Sequence, residues 1–187
     1  MKKMWVIVIL ASMLVGLLAF HRPPASYSNV NQSRFIISPA DGVVKFISEV
    51  DLPTQQGLRK YKVIHIFIGV QNVHTQVYPS SGLVLKAEYY PTRTFEDARG
   101  NTSENEHLDT YLDNGIVIKQ IAGKLARRIV AYHPVGSVVA QGEQLGKITL
   151  GSGCELFLPD DQFELAGDLV PGSRVYVGKT VLGGKRL

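Results

Sequence analysis

The sequence predicts a mainly β domain carried behind one N-terminal membrane helix. From residue 34 onward the chain is a succession of short runs rich in Val and Ile, each bounded by Gly, Pro or Asp. β-Branched runs of that length suit pleated, half-buried strands. No stretch after residue 33 keeps a helical apolar period for long. The amino terminus is different: residues 4–20, MWVIVILASMLVGLLAF, carry no charge.

As a helix, residues 4–20 reach about 26 Å, just enough to span a bilayer. The basic start Met1-Lys2-Lys3 also fits a cleaved signal peptide, but His21-Arg22-Pro23-Pro24 follows instead of a small-x-small cleavage site. Residues 1–20 therefore read as a membrane anchor. Lys2 and Lys3 on one side and Arg22 and Arg34 on the other leave its orientation weakly set; the domain is placed on the cytoplasmic side of the cell membrane. Residues 21–33, HRPPASYSNVNQS, are polar and proline-bearing and read as a linker. The remainder, residues 34–187, forms the domain.

Strands are expected at 42–50, 61–70, 82–90, 115–123, 127–133 and 145–150. A further β-like run, CELFLP, follows Gly151-Ser152-Gly153. Residues 160–165, DDQFEL, read as one short helical turn, and residues 91–106 as a long polar loop. SPADGVVKF (38–46) and YPSSGLVLK (78–86) echo each other, and residues 133–148 carry a turn-strand-turn-strand rhythm. That rhythm resembles the lipoyl- and biotinyl-type barrel-sandwich, in which short strands wrap two small sheets around a core. A carrier of that type needs a lysine at a hairpin tip, and the sequence offers none.

Hydrophobic residues make up 45% of the chain and charged ones 19%, enough for a real core. The net charge of +4 suits an anionic phospholipid surface and is too small to argue for nucleic acid. The single cysteine, Cys154, excludes an internal disulfide. The five histidines lie far apart and none has a cysteine at ligand spacing, so no metal site is expected.

Ser152 sits in a Gly-Ser-Gly that reads either as a turn or as a reactive peptide. A serine hydroxyl becomes a nucleophile only when a base takes its proton, commonly a histidine oriented by a carboxylate. His74, in GVQNVHTQVYPSSG, lies near a strand end and is the candidate base. Asp41, in SPADGVV, is the candidate orienter, although Asp-Gly is also an ordinary turn dipeptide. His65 alternates within a strong strand and reads as structural, and His133 as a turn residue. Glu104 and Glu106 read as solvated loop residues; Arg127 and Arg128 either bind phosphate or face water.

Taken in order, SPADG, NVHTQVYPSSG, SENEH, QIAGKLARRIV and GEQLGKITLGSGCELFLP closely resemble the phosphatidylserine decarboxylase proenzymes of the short prokaryotic type. The resemblance runs from about residue 20, where FHRPP matches the segment after the family's membrane helix, to about residue 160. It implies a self-processing enzyme. Asp41 would hold His74, His74 would deprotonate Ser152, and Ser152 would attack the Gly151 carbonyl. Elimination would part residues 1–151 from 152–187, two chains that stay together, and leave a pyruvoyl group at position 152. That group would form a Schiff base with phosphatidylserine and serve as electron sink while CO2 leaves, giving phosphatidylethanolamine; no separate cofactor is implied. His74 would return a proton to the carbanion.

The chain departs from the family pattern around its histidine. Asn72 stands where Asp is usual, and Thr75-Gln76-Val77 replaces Val-Asn-Arg. Gly153 and Cys154 follow the serine in place of Thr or Arg and an aliphatic residue, and His107 replaces an Arg. Two alternatives stay open: a membrane-anchored lipid-binding relative without the chemistry, and a pyruvoyl decarboxylase for a related amino-acid headgroup.

Overall fold

The computed structural model describes residues 4–12, 34–54, 57–92, 105–123, 129–148 and 152–186. Residues 4–12 are helical with exposed side chains. Among the described residues no helix is long and apolar enough to cross a membrane. The rest of the expected anchor and the linker, residues 13–33, lie outside the described residues, as do Gly151, Glu104 and the Arg127–Arg128 pair.

From residue 34 the described chain is built of strands. In order they are β1 (Phe35–Ile37), β2 (Gly42–Thr54), β3 (Gly57–Ile68), β4 (Thr75–Val77), β5 (Gly82–Tyr90), β6 (His107–Leu112) and β7 (Val117–Ile121). There follow β8 (Ile129–Ala131), β9 (Val138–Val139), β10 (Gln144–Ile148), β11 (Ser152–Pro159), β12 (Phe163–Leu165), β13 (Arg174–Val175) and β14 (Val181–Lys185). The main sheet has eight strands in the order β13-β2-β3-β11-β7-β6-β5-β9, curled into a half-barrel. Two three-stranded sheets, β1-β14-β12 and β4-β10-β8, accompany it. The mainly β expectation holds, but one large curled sheet replaces the two small sheets of a barrel-sandwich.

The alternation of β3 and β11 explains the core. Ile64, Ile66 and Ile68 point to one face of β3, and Cys154, Leu156 and Leu158 to the same face of β11; all are almost fully buried in one cluster. The opposite face carries a second cluster, Tyr61, Val63, Val117 and Phe157. Covered on both faces, β11 is buried at every position but Glu155. His65, expected to be structural, lies on that second face. It sits 3.1 Å from Glu155 Oε1 and stacks on Phe46 with ring centroids 4.6 Å apart.

Several expectations need adjusting. Residues 160–162 form a turn and 163–165 a strand, because Phe163–Leu165 pairs with β14 in place of closing a helical turn. Glu106 is buried, because its carbonyl accepts the Ala122 amide at 2.8 Å and draws the chain onto β7's end. His133 does lie in a bend, 2.9 Å from Glu143 Oε1.

Candidate active site

Asp41 lies between β1 and β2, and the loop that carries it is tightly held. Ser38 Oγ donates to the Ala40 carbonyl at 2.7 Å, and the Ser38 amide donates to Thr180 O at 2.8 Å. Gly42 follows because no side chain fits there: a Cβ would stand 2.1 Å from the Phe67 carbonyl oxygen. The Asp-Gly dipeptide is thus pressed against β3, which aims the Asp41 carboxylate at the turn beyond that strand.

That turn runs from Gly69 to His74. It closes on Asn72, whose amide donates to Gly69 O at 2.9 Å while its Oδ1 accepts the Gly69 amide at 2.9 Å. Asp41 Oδ2 accepts from Asn72 Nδ2 at 3.1 Å and from the Val73 amide at 3.0 Å. The Asn72 carbonyl, in turn, lies 2.8 Å from His74 Nδ1. Asp41 therefore reaches His74 through Asn72 and through space. Had residue 72 been an aspartate, two carboxylates would have met at this distance; the amide makes the contact a hydrogen bond.

The His74 geometry sets its tautomer. A carbonyl oxygen only accepts, so Nδ1 carries the proton and Nε2 of the neutral ring carries the lone pair. Burial holds the His74 pKa below its usual 6.5. The Asn72 carbonyl opposes that shift, the Lys147 charge adds to it, and the Asp41 charge opposes it. The ring is thereby neutral near pH 7, the form a general base requires.

Ser152 is the first residue of β11 and is fully buried. It pairs with Ile68, the last residue of β3 before the Gly69–His74 turn. From the other side, the Ile148 amide at the end of β10 donates to His74 O at 3.2 Å. Residues 148 and 152 flank Gly151, so the start of β11, the end of β10 and the His74 turn meet at one end of the fold. Ser152 Oγ has no hydrogen-bond partner among the described residues. The thiol of Cys154, on the same face, is pushed up by burial and stays protonated, so it does not compete as a nucleophile.

The remaining motifs gather at the same end. Ile121 of QIAG pairs with Gly153. Asn105 of SENEH donates from Nδ2 to Ala122 O at 3.1 Å. Described residues of motifs far apart in sequence, from Asp41 to Gly153, thus lie at the end of the fold that holds Ser152. Sequence reasoning missed the part played by Asn72, visible there only as a departure from the family pattern.

A family model for phosphatidylserine decarboxylase matches residues 17–183. The chain belongs to the phosphatidylserine decarboxylase family. The phosphatidylserine decarboxylase proenzyme of Symbiobacterium thermophilum is 34% identical over 180 residues, covering 94% of this chain and 81% of that protein. That of Geotalea daltonii is 37% identical over 176 residues, covering 90% and 79%. That of Erythrobacter litoralis is 34% identical over 189 residues, covering 92% and 74%. For a member of the phosphatidylserine decarboxylase family, the arrangement at Ser152 offers the parts of an activated-serine site: a buried hydroxyl, a neutral histidine and a carboxylate that holds the histidine's turn.

Proposed function

We infer that this chain is a self-processing, pyruvoyl-dependent phosphatidylserine decarboxylase. The observation that carries the reading is the buried Ser152 hydroxyl, without a hydrogen-bond partner among the described residues, at the end of the fold where the His74 turn is built. Interiors leave few polar atoms unpaired, and a catalytic role is one of the recognised reasons for leaving one.

In the processing step His74 Nε2 takes the Ser152 proton, and Ser152 Oγ attacks the Gly151 carbonyl carbon. The C–N bond to Ser152 breaks and an ester bond forms, the freed amine taking the proton. Loss of the Ser152 Cα proton then expels the residue 1–151 carboxylate, leaving dehydroalanine at the head of residues 152–187. One water enters and one ammonia leaves, giving the pyruvoyl group. Asp41 keeps the His74 turn in place, and its charge favours the imidazolium that forms.

The residues fit that group: position 152 is fully buried, faces the apolar side chains of β3 and β11, and pairs with Ile68 where the chain enters the His74 turn. The pyruvoyl group supplies a carbonyl electron sink for loss of CO2 from phosphatidylserine. His74 delivers the proton that replaces the carboxylate, and the buried setting keeps bulk water from doing so instead. Residues 1–20 anchor the domain to the membrane in which substrate and product, phosphatidylethanolamine, both reside, with the domain on the cytoplasmic face.

The test is an intact mass spectrum of the chain purified from membranes, followed by an assay of CO2 release from phosphatidylserine. The expected result is two chains, 1–151 and 152–187, the second headed by a ketone in place of an amine. Ser152→Ala should stay a single inactive chain. A parent chain that remains whole and inactive would leave the lipid-binding reading standing.

A further inference from the structure

Among the described residues, a pair of fully buried glutamines lies outside the Asp41–His74–Ser152 arrangement. Gln76 lies in β4, two residues after His74, and Gln120 lies in β7, just before Ile121. Both side chains are fully buried. Gln120 Nε2 donates to Gln76 Oε1 at 2.5 Å. That bond leaves Gln76 Nε2 and Gln120 Oε1 buried with no partner among the described residues. Turning both amides over exchanges which residue supplies which atom, but one NH2 and one carbonyl still remain unspent.

The pair belongs to the face that carries Ser152. Gln120 is the register partner of Cys154, and Cys154 and Ser152 are two residues apart on one strand. Partners across an antiparallel pair share a face, as do alternate residues along a strand. Gln120 is therefore a diagonal neighbour of Ser152. Gly146 of β10 is the register partner of Gln76, and a Cβ there would lie 3.1 Å from Gln120 Nε2. The two amides are thus clamped between the main sheet and the β4-β10 pair.

A buried donor and a buried acceptor left open each forfeit the hydration they had in the unfolded chain. Two apolar side chains would fill the same volume without that loss. We propose that Gln76 and Gln120 recognise the amino-acid headgroup of the substrate, an assignment that rests on the decarboxylase reading above. The unspent NH2 donates to the substrate carboxylate, and the unspent carbonyl accepts an N–H from the amino nitrogen. An α-amino acid presents these two groups on one carbon. An ethanolamine headgroup offers only the second, and a choline headgroup neither. Decarboxylation itself removes one of the two partners, so the product is held less firmly than the substrate. A site built around such hydrogen bonds rejects analogues that leave its buried groups unpaired.

The experiment compares the purified parent with Gln120→Met and Gln76→Glu. Self-cleavage is read by intact mass. KM and kcat are read with phosphatidylserine in mixed micelles, and inhibition is read with phosphatidylethanolamine. Gln76→Glu keeps the side-chain length and accepts from the Gln120 NH2, but it withdraws the open donor whichever way the amides lie and brings a negative charge to the substrate carboxylate. Both variants should still yield the two chains, read at completion and not as a rate, because the charge that Gln76→Glu introduces can alter the speed of the His74 step. Gln120→Met should raise KM by roughly tenfold or more with a smaller change in kcat. Gln76→Glu should raise it further while inhibition by phosphatidylethanolamine is kept. Self-cleaving variants that retain the parent KM overturn the assignment. Loss of self-cleavage in both overturns it too, since the pair would then serve to hold β4 and β10. A parent that releases no CO2 from phosphatidylserine fails the decarboxylase reading itself, whereas an active parent with unaltered variants fails only the headgroup assignment.

Discussion

The Asp41 carboxylate and the Asn72 side-chain amide are joined by a 3.1 Å hydrogen bond, and through it the SPADG loop grips the turn that presents His74. Asn72 spends its side chain on Asp41 and Gly69 and its carbonyl on His74.

Replacing Asn72 by Ala should therefore damage processing more than its distance from any reacting atom implies. The Gly69 amide loses its Asn72 acceptor and Asp41 loses one of its two donors, at a cost of about 1–3 kcal/mol for each group left buried and unpaired. Self-cleavage, followed by gel after pulse labelling, should slow, and the melting temperature should fall. Cleavage at the parent rate would show that the turn holds without Asn72.

Asp41→Asn keeps the shape of the carboxylate and removes its charge. The Asn72 and Val73 donors can still be accepted by the amide oxygen, so the fold should survive. The imidazolium formed in processing loses its nearby negative charge, and cleavage should slow by roughly tenfold or more. A fully processed Asp41→Asn chain would remove Asp41 from the mechanism.

The His74 environment predicts a pH profile. The base must be neutral, and burial holds its pKa below 6.5. The processing rate should therefore be flat through neutral pH and fall only as acid titrates the ring, below 6.5. The Lys147 cation contributes to that depression. Lys147→Met should move the acid limb of the profile upward in pH while leaving the plateau rate close to the parent's. An acid limb that stays in place, measured by cleavage rate against pH in both chains, would assign the depression to burial alone.

Gly42→Ala is predicted to be among the more damaging small changes in the domain. Its new methyl would stand 2.1 Å from the Phe67 carbonyl, which is backbone in the middle of a β-sheet and cannot swing away. Strain of this kind costs about 1–3 kcal/mol. Because Asp41 is the preceding residue, a cleavage defect should accompany the lower melting temperature.

The strands that the sequence displays plainly are the long apolar ones: Gly42–Thr54 and Gly82–Tyr90 contain the expected runs, and Gly57–Ile68 covers 61–70 except its last two residues, which the His74 turn takes. β4 is invisible in the same terms. Thr75-Gln76-Val77 is short and mostly polar, yet all three residues are buried, because pairing with β10 and contact with Gln120 decide its state. Long-range pairing also made a strand of Phe163–Leu165 and buried Glu106. At the site, Asp41, His74 and Ser152 could be picked out by residue type and by family resemblance. The indirect route from Asp41 to His74 could not, since it runs through one side-chain amide and two backbone groups whose partners only the fold supplies.

The placement of β11 has a consequence for the processed protein. It pairs on one side with β3 and on the other with β7, both from the stretch before position 152, while β14 pairs with β1 and β13 with β2. If the backbone is cut before Ser152 as proposed, residues 152–187 become a stave driven through the middle of the larger fragment. With that much of the sheet shared between the two pieces, diluting the enzyme should not part them; only denaturation should.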